Sequence, residues 1–262
     1  MKLSIIVPSY NSSRFIRETL DSILNDQDSV PIELIVVDGG STDNTLDILR
    51  SYGNKLRWIS ERDNGEPDAI NKGMAMATGD VLAYIDADDV YYPYALKKVA
   101  KYFNEHPEAM WLYGKGRIID IDGRYCRSLI TKFKEVWQPH YSYDNLRIVD
   151  FIVQPTAFWR GELVKEIGGF PVKEHLAFEY DFWLRAGRKY KPAFLNEYLA
   201  CWRSHPASVT AKDIYANMAD ALRLSGKYTG WRLDLRLAEL GIYLLAIGGY
   251  FVIGLLNRGK GK

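Results

Sequence analysis

Val81-Leu82-Ala83-Tyr84-Ile85-Asp86-Ala87-Asp88-Asp89 sets five apolar residues directly against three carboxylates. A run this short and this continuous reads as a strand buried on both faces, and its acidic exit as a turn at a sheet edge. The same grammar recurs toward the N-terminus. Leu3 to Val7 is apolar, stops at Pro8 and meets Ser9-Tyr10-Asn11. Ile32 to Val37 is apolar and is closed by Asp38-Gly39-Gly40, and Leu56 to Ser60 is a weaker third run. Helical patterns separate these runs. Ile16, Leu20, Ile23 and Leu24 share one face behind capping oxygens at Ser12 or Ser13, and Ser41-Thr42-Asp43 precedes Leu46 and Leu49. Ala69 to Ala77 ends at Gly79, and Pro93 to Asn104 follows the acidic turn with proline in its first turn. Apolar strands alternating with amphipathic helices predict an α/β fold whose mostly parallel central sheet carries helices on both faces. Ligands of such sheets bind beyond the carboxyl ends of the strands, where three polar turns gather here.

Past Pro107 the rhythm changes. Met110 to Tyr113 and Arg117 to Ile121 read as strands, with a hairpin signal at Asp122-Gly123. Residues 124–155 are aromatic-rich and carry no clear period. Gly161 to Ile167 reads as a helix stopped by Gly168-Gly169, Glu179 to Arg188 as another, and Ala193 to Arg203 as two short strands. Leu240 to Asn257 is an uncharged run between Arg232 and Arg236 on one side and Arg258, Lys260 and Lys262 on the other. It reads either as a helix packed on the domain or as a membrane-associated one, the basic ends favouring anionic lipid on a cytoplasmic face.

The chain has 262 residues, 47% hydrophobic and 26% charged, enough for one large core, and its net charge of +1 argues against binding nucleic acid by bulk charge. Two cysteines make no disulfide framework and no metal-site spacing, which predicts a reduced compartment. Met1-Lys2-Leu3-Ser4 does not read as a signal peptide. Aromatic residues at 13% suit a chain with aromatic-lined surfaces of the kind carbohydrate binders use.

Three carboxylates within four residues repel one another unless a cation joins them, and oxygen ligands suit Mg²⁺ or Mn²⁺ with positions left for substrate phosphates. The competing reading is a solvated acidic turn in which Asp89 or a neighbour caps the following helix. No G-x-x-x-x-G-K-[ST] motif is present, no G-x-G-x-x-G follows the first strand, and no G-x-S-x-G elbow occurs. What is left is a metal-assisted site for a phosphorylated ligand.

Six stretches in order carry a resemblance. They are Ser4-Ile5-Ile6-Val7-Pro8-Ser9-Tyr10-Asn11, Val36-Val37-Asp38-Gly39-Gly40-Ser41-Thr42-Asp43-Asn44-Thr45, Ala69-Ile70-Asn71-Lys72-Gly73, Ala83-Tyr84-Ile85-Asp86-Ala87-Asp88-Asp89, Ile167-Gly168-Gly169-Phe170 and Glu179-Tyr180-Asp181-Phe182-Trp183-Leu184-Arg185. Over roughly residues 3–210 the chain resembles a family 2 glycosyltransferase, which implies a Rossmann-like GT-A fold and inverting, D-x-D-type chemistry. The resemblance places Pro8, Tyr10 and Asn11 at the nucleotide base, with Asp38 accepting the base N–H and Gly39 letting the backbone pass close. It places Asp86, Ala87 and Asp88 on the donor and Asp88 and Asp89 at the metal, leaving open which of the two touches it. His205 is a further metal candidate and Arg203 a phosphate contact. Lys72 is implied near the diphosphate and Asp68 near the sugar. Asp181 matches the catalytic base, but Tyr180 separates Glu179 from Asp181 where the family writes Glu-Asp together, so Glu179 is the alternative base. An Asp181–Arg185 salt bridge is the plain structural reading.

The expected organisation is a glycosyltransferase domain over residues 1–210, with a nucleotide-sugar half over 1–106 and an acceptor half over 107–210. A C-terminal helical segment follows over 211–262 and meets a membrane surface through 237–257. The expected reaction is metal-dependent transfer, with Mn²⁺ or Mg²⁺, from a UDP- or GDP-linked sugar to a hydroxyl of a glycan or lipid-linked acceptor. The pathway would be polysaccharide, cell-envelope or glycolipid synthesis on the cytoplasmic face of a membrane. The acceptor is expected to meet residues 124–155 and the aromatics around Trp137, Trp159 and Trp183. Oligomeric state stays open. Competing readings are a sugar-phosphate nucleotidyltransferase, disfavoured because Ser9 to Arg14 contains no glycine, and a non-catalytic carbohydrate-binding module.

Overall fold

The structure, a computed structural model, describes residues 1–172, 176–205 and 214–243. Its strands are β1 (Leu3–Ser9), β2 (Ile32–Asp38), β3 (Arg57–Ser60), β4 (Val81–Tyr84), β5 (Val90–Tyr91), β6 (Trp111–Ile119), β7 (Tyr125–Cys126), β8 (Ala157–Arg160) and β9 (Ala193–Arg203). They form one sheet in the order β3-β2-β1-β4-β8-β6-β9-β5, with β7 paired to β6. β1 is parallel to β2 and β4, β2 to β3, and β6 to β9. Antiparallel pairing enters with β8, β5 and β7. The carboxyl ends of β1, β2, β3 and β4 therefore open on one edge. Because β8 runs antiparallel to both β4 and β6, the ends of β6 and β9 point the same way.

β1 extends through Pro8 to Ser9, two residues past the end its sequence suggests. The Ser9 carbonyl accepts Gly39 N on the β2 side, whereas the Ile6 carbonyl accepts Ile85 N on the β4 side, where pairing ends. Pro8 comes after that last bond, so its missing N–H orphans nothing.

The helices are α1 (Ile16–Leu24), α2 (Thr45–Ser51), α3 (Glu66–Met76), α4 (Ala95–Glu105), α5 (Ser128–Trp137), α6 (Tyr143–Ile148), α7 (Gly161–Ile167), α8 (Phe178–Lys189), α9 (Ile214–Thr229) and α10 (residues 233–243). Period-two alternation sorts the core between the two faces of the sheet. Leu3, Ile5 and Val7 join Leu20, Leu96 and Phe103 in one cluster, while Ile6 joins Trp111, Trp159 and Trp183 in the other. Trp159 and Trp183, expected near an acceptor, are fully buried core residues. The Trp111 and Trp183 rings stack at 5.8 Å, and Phe170 lies on Phe182 at 4.5 Å. Ala221 and Leu224 of α9 belong to the same cluster, so the C-terminal helices extend the core.

Three local expectations change. Ser12 accepts the α1 N-terminal N–H groups through its backbone carbonyl, because its hydroxyl is turned back onto the Tyr10 backbone at 3.3 Å. Met110–Tyr113 and Arg117–Ile121 merge into β6, and the two strands expected over Ala193–Arg203 merge into β9, with the irregularity absorbed as register shifts between Tyr113 and Gly116. The cap of α4 comes from neither Asp89 nor its neighbours. Asp26, buried at the far end of α1, accepts Tyr94 N at 2.8 Å and Leu96 N at 2.9 Å. A distant carboxylate thus holds the positive end of α4, and the 86–89 turn is free of that duty.

The Gly168-Gly169-Phe170 turn is locked to α3. Asn71 donates to the Phe170 carbonyl at 2.7 Å and accepts Phe170 N at 2.9 Å. A Cβ on Gly169 would lie 2.3 Å from Asn71 Oδ1, so only glycine permits the approach. Among the described residues no helix is long and apolar enough to cross a membrane. Of the run expected to contact a membrane, residues 244–257 lie outside the described residues.

Candidate active site

The loops after β1 and β2 form one rigid unit. Asn11, at φ 49°, sits in the left-handed region that asparagine tolerates. Its N–H donates to Ser41 Oγ at 2.7 Å, and Ser41 Oγ donates in turn to Asp38 Oδ1 at 2.5 Å. Asn11 Oδ1 accepts Thr42 N at 2.8 Å. Asp38 is fully buried, and its Oδ2 accepts Gly40 N, Ser41 N and Ser60 Oγ. Asp38 is therefore first the keystone of its own turn, with Oδ1 retaining one acceptor direction for a ligand. Gly39 is required there, because a Cβ would fall 2.5 Å from Asp63 Oδ2. The Tyr10 ring is 64% exposed beside this unit, with its face free to stack.

The acidic turn faces His205. His205 Nε2 lies 2.8 Å from Asp88 Oδ2, and its ring packs on Phe15 at 5.3 Å. Asp89 turns the other way, buried, and accepts Arg203 N at 2.7 Å. Burial first, then the Asp88 and Asp86 charges, push the Asp89 carboxyl well up. Arg203, expected on a phosphate, is spent inside the protein. Its guanidinium donates to the carbonyls of Asp88 and Asp120 and to Glu18 Oε2, and it covers the Phe15 ring. It holds the acidic turn in place. Of the expected metal residues, then, the fold turns Asp88 and His205 toward each other and ties Asp89 to β9.

Asp86 points into a nest of acids that sequence reasoning missed in part. Asp86 Oδ1 is buried with no hydrogen-bond partner, and the Tyr84 hydroxyl meets Glu179. Burial and the Asp88 charge raise the Asp86 carboxyl to about 7. Glu66, at the start of α3, is raised well above its ordinary value by burial, then by Asp86 and Glu179. Glu179 is pushed up to about 8 by burial, with Asp86 and Asp150 adding to the effect. Gln154, another unforeseen member, donates to the Tyr84 carbonyl at 2.9 Å and steadies the approach to Asp86. Glu66 left only a faint signal, an acidic residue just ahead of Pro67 at a helix start.

Asp181 does not join this nest. Helical residues two apart point about 200° from each other, so Glu179 and Asp181 serve opposite faces of α8. Asp181 Oδ2 accepts Arg185 Nε at 2.7 Å and its Oδ1 accepts Tyr228 Oη at 2.9 Å. The rest of the Arg185 guanidinium reaches the carbonyls of Ile167, Gly168 and Gly169. Asp181 is thus a structural clamp between α8, α9 and the Gly-Gly turn, and the carboxyl meeting the acidic edge is that of Glu179. Asp68 and Lys72 pair along α3 at 3.5 Å. Asp68 also accepts Asn64 N, and Lys72 also pairs with Glu61 at 2.8 Å.

The raised acids set a pH dependence. The folded state holds protons on Glu179 and Asp86 more tightly than the unfolded chain, whose carboxylates titrate near 4. Their contribution to stability is therefore complete below about pH 4 and is lost as pH rises through about 7 to 8. Glu33 and Asp43, held down at about 2 by donors that outweigh burial, act oppositely and only below about pH 4. The melting temperature of the ligand-free protein is expected to fall between pH 5.5 and 8.5, and less so in Glu179→Gln. A flat profile in both would contradict the buried acid nest.

A divalent cation fits part of this edge. The donors are hard oxygens and one imidazole, and the orphaned Asp86 Oδ1 marks incompletely compensated charge. Among the described residues no group of three or more such side chains converges on one point. Asp88 and His205, 2.8 Å apart, are the pair there that would hold such an ion.

A family model described as Glycosyl transferase family 2 matches residues 4–167. A PGL/p-HBAD biosynthesis glycosyltransferase of Mycobacterium bovis is 33% identical over 201 residues, 75% of this chain and 73% of its own. An uncharacterised Nostoc glycosyltransferase is 37% identical over 107 residues, 39% of this chain and 33% of that one. Among solved structures, Staphylococcus aureus TarS 1–349 in complex with UDP-GlcNAc superposes with a TM-score of 0.64 at 25% identity, covering 86% of this chain and 66% of that one. The mannosyltransferase PcManGT of Pyrobaculum calidifontis, in complex with GDP-Man and Mn²⁺, has a TM-score of 0.66 at 19% identity over 98% of this chain and 79% of that one, a likeness of fold.

Proposed function

The chain belongs to glycosyltransferase family 2, and from that membership we propose that it is an inverting glycosyltransferase. It moves a sugar from a UDP- or GDP-linked donor to a hydroxyl of a glycan or lipid-linked acceptor, in polysaccharide, cell-envelope or glycolipid assembly. The observation that carries this reading is the meeting of a carboxylate–imidazole pair and a further acid at one edge of the sheet. Asp88 and His205 sit at the ends of β4 and β9, and Glu179 enters the same acid cluster from α8.

In the proposed reaction the nucleotide base stacks on the exposed Tyr10 ring and meets Asp38 Oδ1. Pro8 and Asn11 shape that loop, and Gly39 admits the ligand backbone. Asp86 and the Ala87 backbone line the donor side. Asp88 and His205 would hold a Mg²⁺ or Mn²⁺ ion, with Asp89 fixing their turn; when bound, the ion neutralises charge on the departing diphosphate. Glu179 takes the proton from the acceptor hydroxyl. That oxygen bonds to the anomeric carbon as the bond to the nucleoside diphosphate breaks, and a single displacement inverts the centre. Lys72 and Asp68, already paired with each other, serve the donor at most from the periphery.

The proposed organisation keeps residues 1–106 for the donor, 107–210 for the acceptor and 211–262 as a C-terminal segment. Trp231, Leu233, Leu237 and Leu240 are exposed on and before α10, which supports peripheral contact of that segment with the cytoplasmic face of a membrane.

A thermal-shift panel of UDP, GDP and their sugars, each with Mn²⁺ or Mg²⁺, tests the function. One nucleoside diphosphate is expected to stabilise the protein by about 2.7 kcal/mol at one hundred times its Kd. Indifference to every nucleotide in the panel would sink the reading.

A further inference from the structure

Beyond the donor edge, the half of the chain kept above for the acceptor carries a groove whose residues have so far been given no role. The β6–β9 register sets Ile119 beside Arg203, Arg117 beside Cys201 and Lys115 beside Tyr198. β7 adds Tyr125 opposite Ile119, and β5 sets Val90 opposite Cys201, just before Tyr92. These side chains converge. The Arg117 guanidinium carbon lies 4.2 Å from the centre of the Tyr198 ring and 4.9 Å from that of Tyr125. Lys115 Nζ lies 5.2 Å from the Tyr198 centre. The Tyr92 and Tyr198 rings are 6.2 Å apart, and the Tyr92 hydroxyl donates to that of Tyr125 at 3.0 Å. Tyr92, Lys115, Arg117 and Tyr198 are half-buried and Tyr125 is exposed, so the groove opens to solvent.

Its two cations face a single carboxylate, Glu135, held at the Tyr198 hydroxyl. Arg50, Arg147, Arg185 and Arg203 each pair with a carboxylate. Lys115 and Arg117 pair with none among the described residues. Glu135, the acid that reaches in from α5, instead accepts the Tyr198 hydroxyl at 2.5 Å. A cation resting on ring faces is partly stripped of water but keeps outward donors for an anion. Along strands rising about 3.3 Å per residue, Arg117 lies about 7 Å and Lys115 about 13 Å back from the Ile119–Arg203 pair that borders the acidic turn. That spacing suits a chain whose reacting hydroxyl sits at the edge and whose charged groups lie behind it.

We propose that this groove binds the acceptor and that the acceptor is a phosphate-bearing polyol or glycan chain, its phosphate held by Lys115 and Arg117 and its carbon skeleton laid against Tyr92, Tyr125 and Tyr198. The proposal rests on the glycosyltransferase reading and names the acceptor class for it. A neutral glycan gives two unpaired cations nothing to meet, whereas a phosphate accepts the planar guanidinium fork and the ammonium together.

Calorimetric titration of the full chain with a synthetic glycerol phosphate tetramer tests it, with the uncharged cellotetraose as counter-probe. The tetramer is expected to bind and cellotetraose to bind at least tenfold more weakly. Raising salt should weaken the tetramer alone. The double variant Lys115→Gln, Arg117→Gln should lose at least tenfold in tetramer affinity while its binding of UDP or GDP stays within twofold. Lys115→Gln alone, expected to lose about threefold, serves if the double variant melts early. Preference for cellotetraose, equal tetramer binding by the variants, or capture by phosphatidylglycerol vesicles without tetramer binding would each overturn the groove assignment. Failure of the unmodified protein to bind any nucleoside diphosphate would instead overturn the glycosyltransferase reading beneath it.

Discussion

Glu179→Gln is expected to lower turnover about a thousandfold while leaving nucleoside diphosphate binding within a few-fold of the unmodified protein. General bases contribute about 10²–10⁴ to a rate, and glutamine keeps the shape of glutamate without its basicity. The pH profile supplies the sign. A carboxyl raised to about 8 is mostly protonated at neutral pH, so only its ionised fraction can accept the acceptor's proton. Turnover should rise about tenfold per pH unit below 8 and level off above it, and Glu179→Gln should erase that slope. Asp181→Asn should behave differently. It weakens the clamp on Arg185 and Tyr228 and lowers the melting temperature, yet the variant that remains folded should retain turnover within about tenfold and keep the same pH slope. A folded Asp181→Asn protein without turnover, beside an active Glu179→Gln protein, would reverse the two roles.

Asp88→Ala is expected to separate stability from function. In the ligand-free protein it removes a charge that raises both Asp86 and Asp89, so its melting temperature should equal or exceed that of the unmodified protein. With Mn²⁺ and the preferred nucleoside diphosphate, the metal-dependent part of the thermal shift should disappear, a loss of at least about one hundredfold in ternary affinity. Asp89→Ala should show the opposite pattern. Its side chain accepts Arg203 N in a buried position, and leaving that donor unpaired costs about 1–3 kcal/mol of stability. The metal-dependent shift should survive in the folded fraction. Were Asp88→Ala to keep that shift, Asp88 would not be a ligand of the ion.

Much of this architecture was legible in one dimension. Leu3, Ile5 and Val7 lie on one side of the sheet and Ile6 on the other, as an apolar run in a doubly covered sheet requires. The Asp122-Gly123 hairpin, the Asp43 oxygen that accepts Thr45 N at 3.0 Å, and the stop at Gly168 are all local signals that the fold keeps. Aromatic content misled where burial decided. Trp159 and Trp183 fill the core, whereas the tyrosines that line an open groove were not singled out, because nothing in the period of residues 92–198 marks them as neighbours.

The order of strands and helices, and the edge on which a ligand would sit, came from short-range patterns: side-chain periods of two and 3.6, turn residues, and polar exits from buried strands. Those patterns act within a few residues and survive any long-range packing. Which acid works at that edge was settled by contacts between distant segments. α9 brings Tyr228 to Asp181, Asp26 relieves the 86–89 turn of capping, and Arg203 is drawn inward by Glu18 and the Asp88 carbonyl. Burial and neighbouring charge tune a carboxyl only once such segments have met, and a linear string of residues does not contain that meeting.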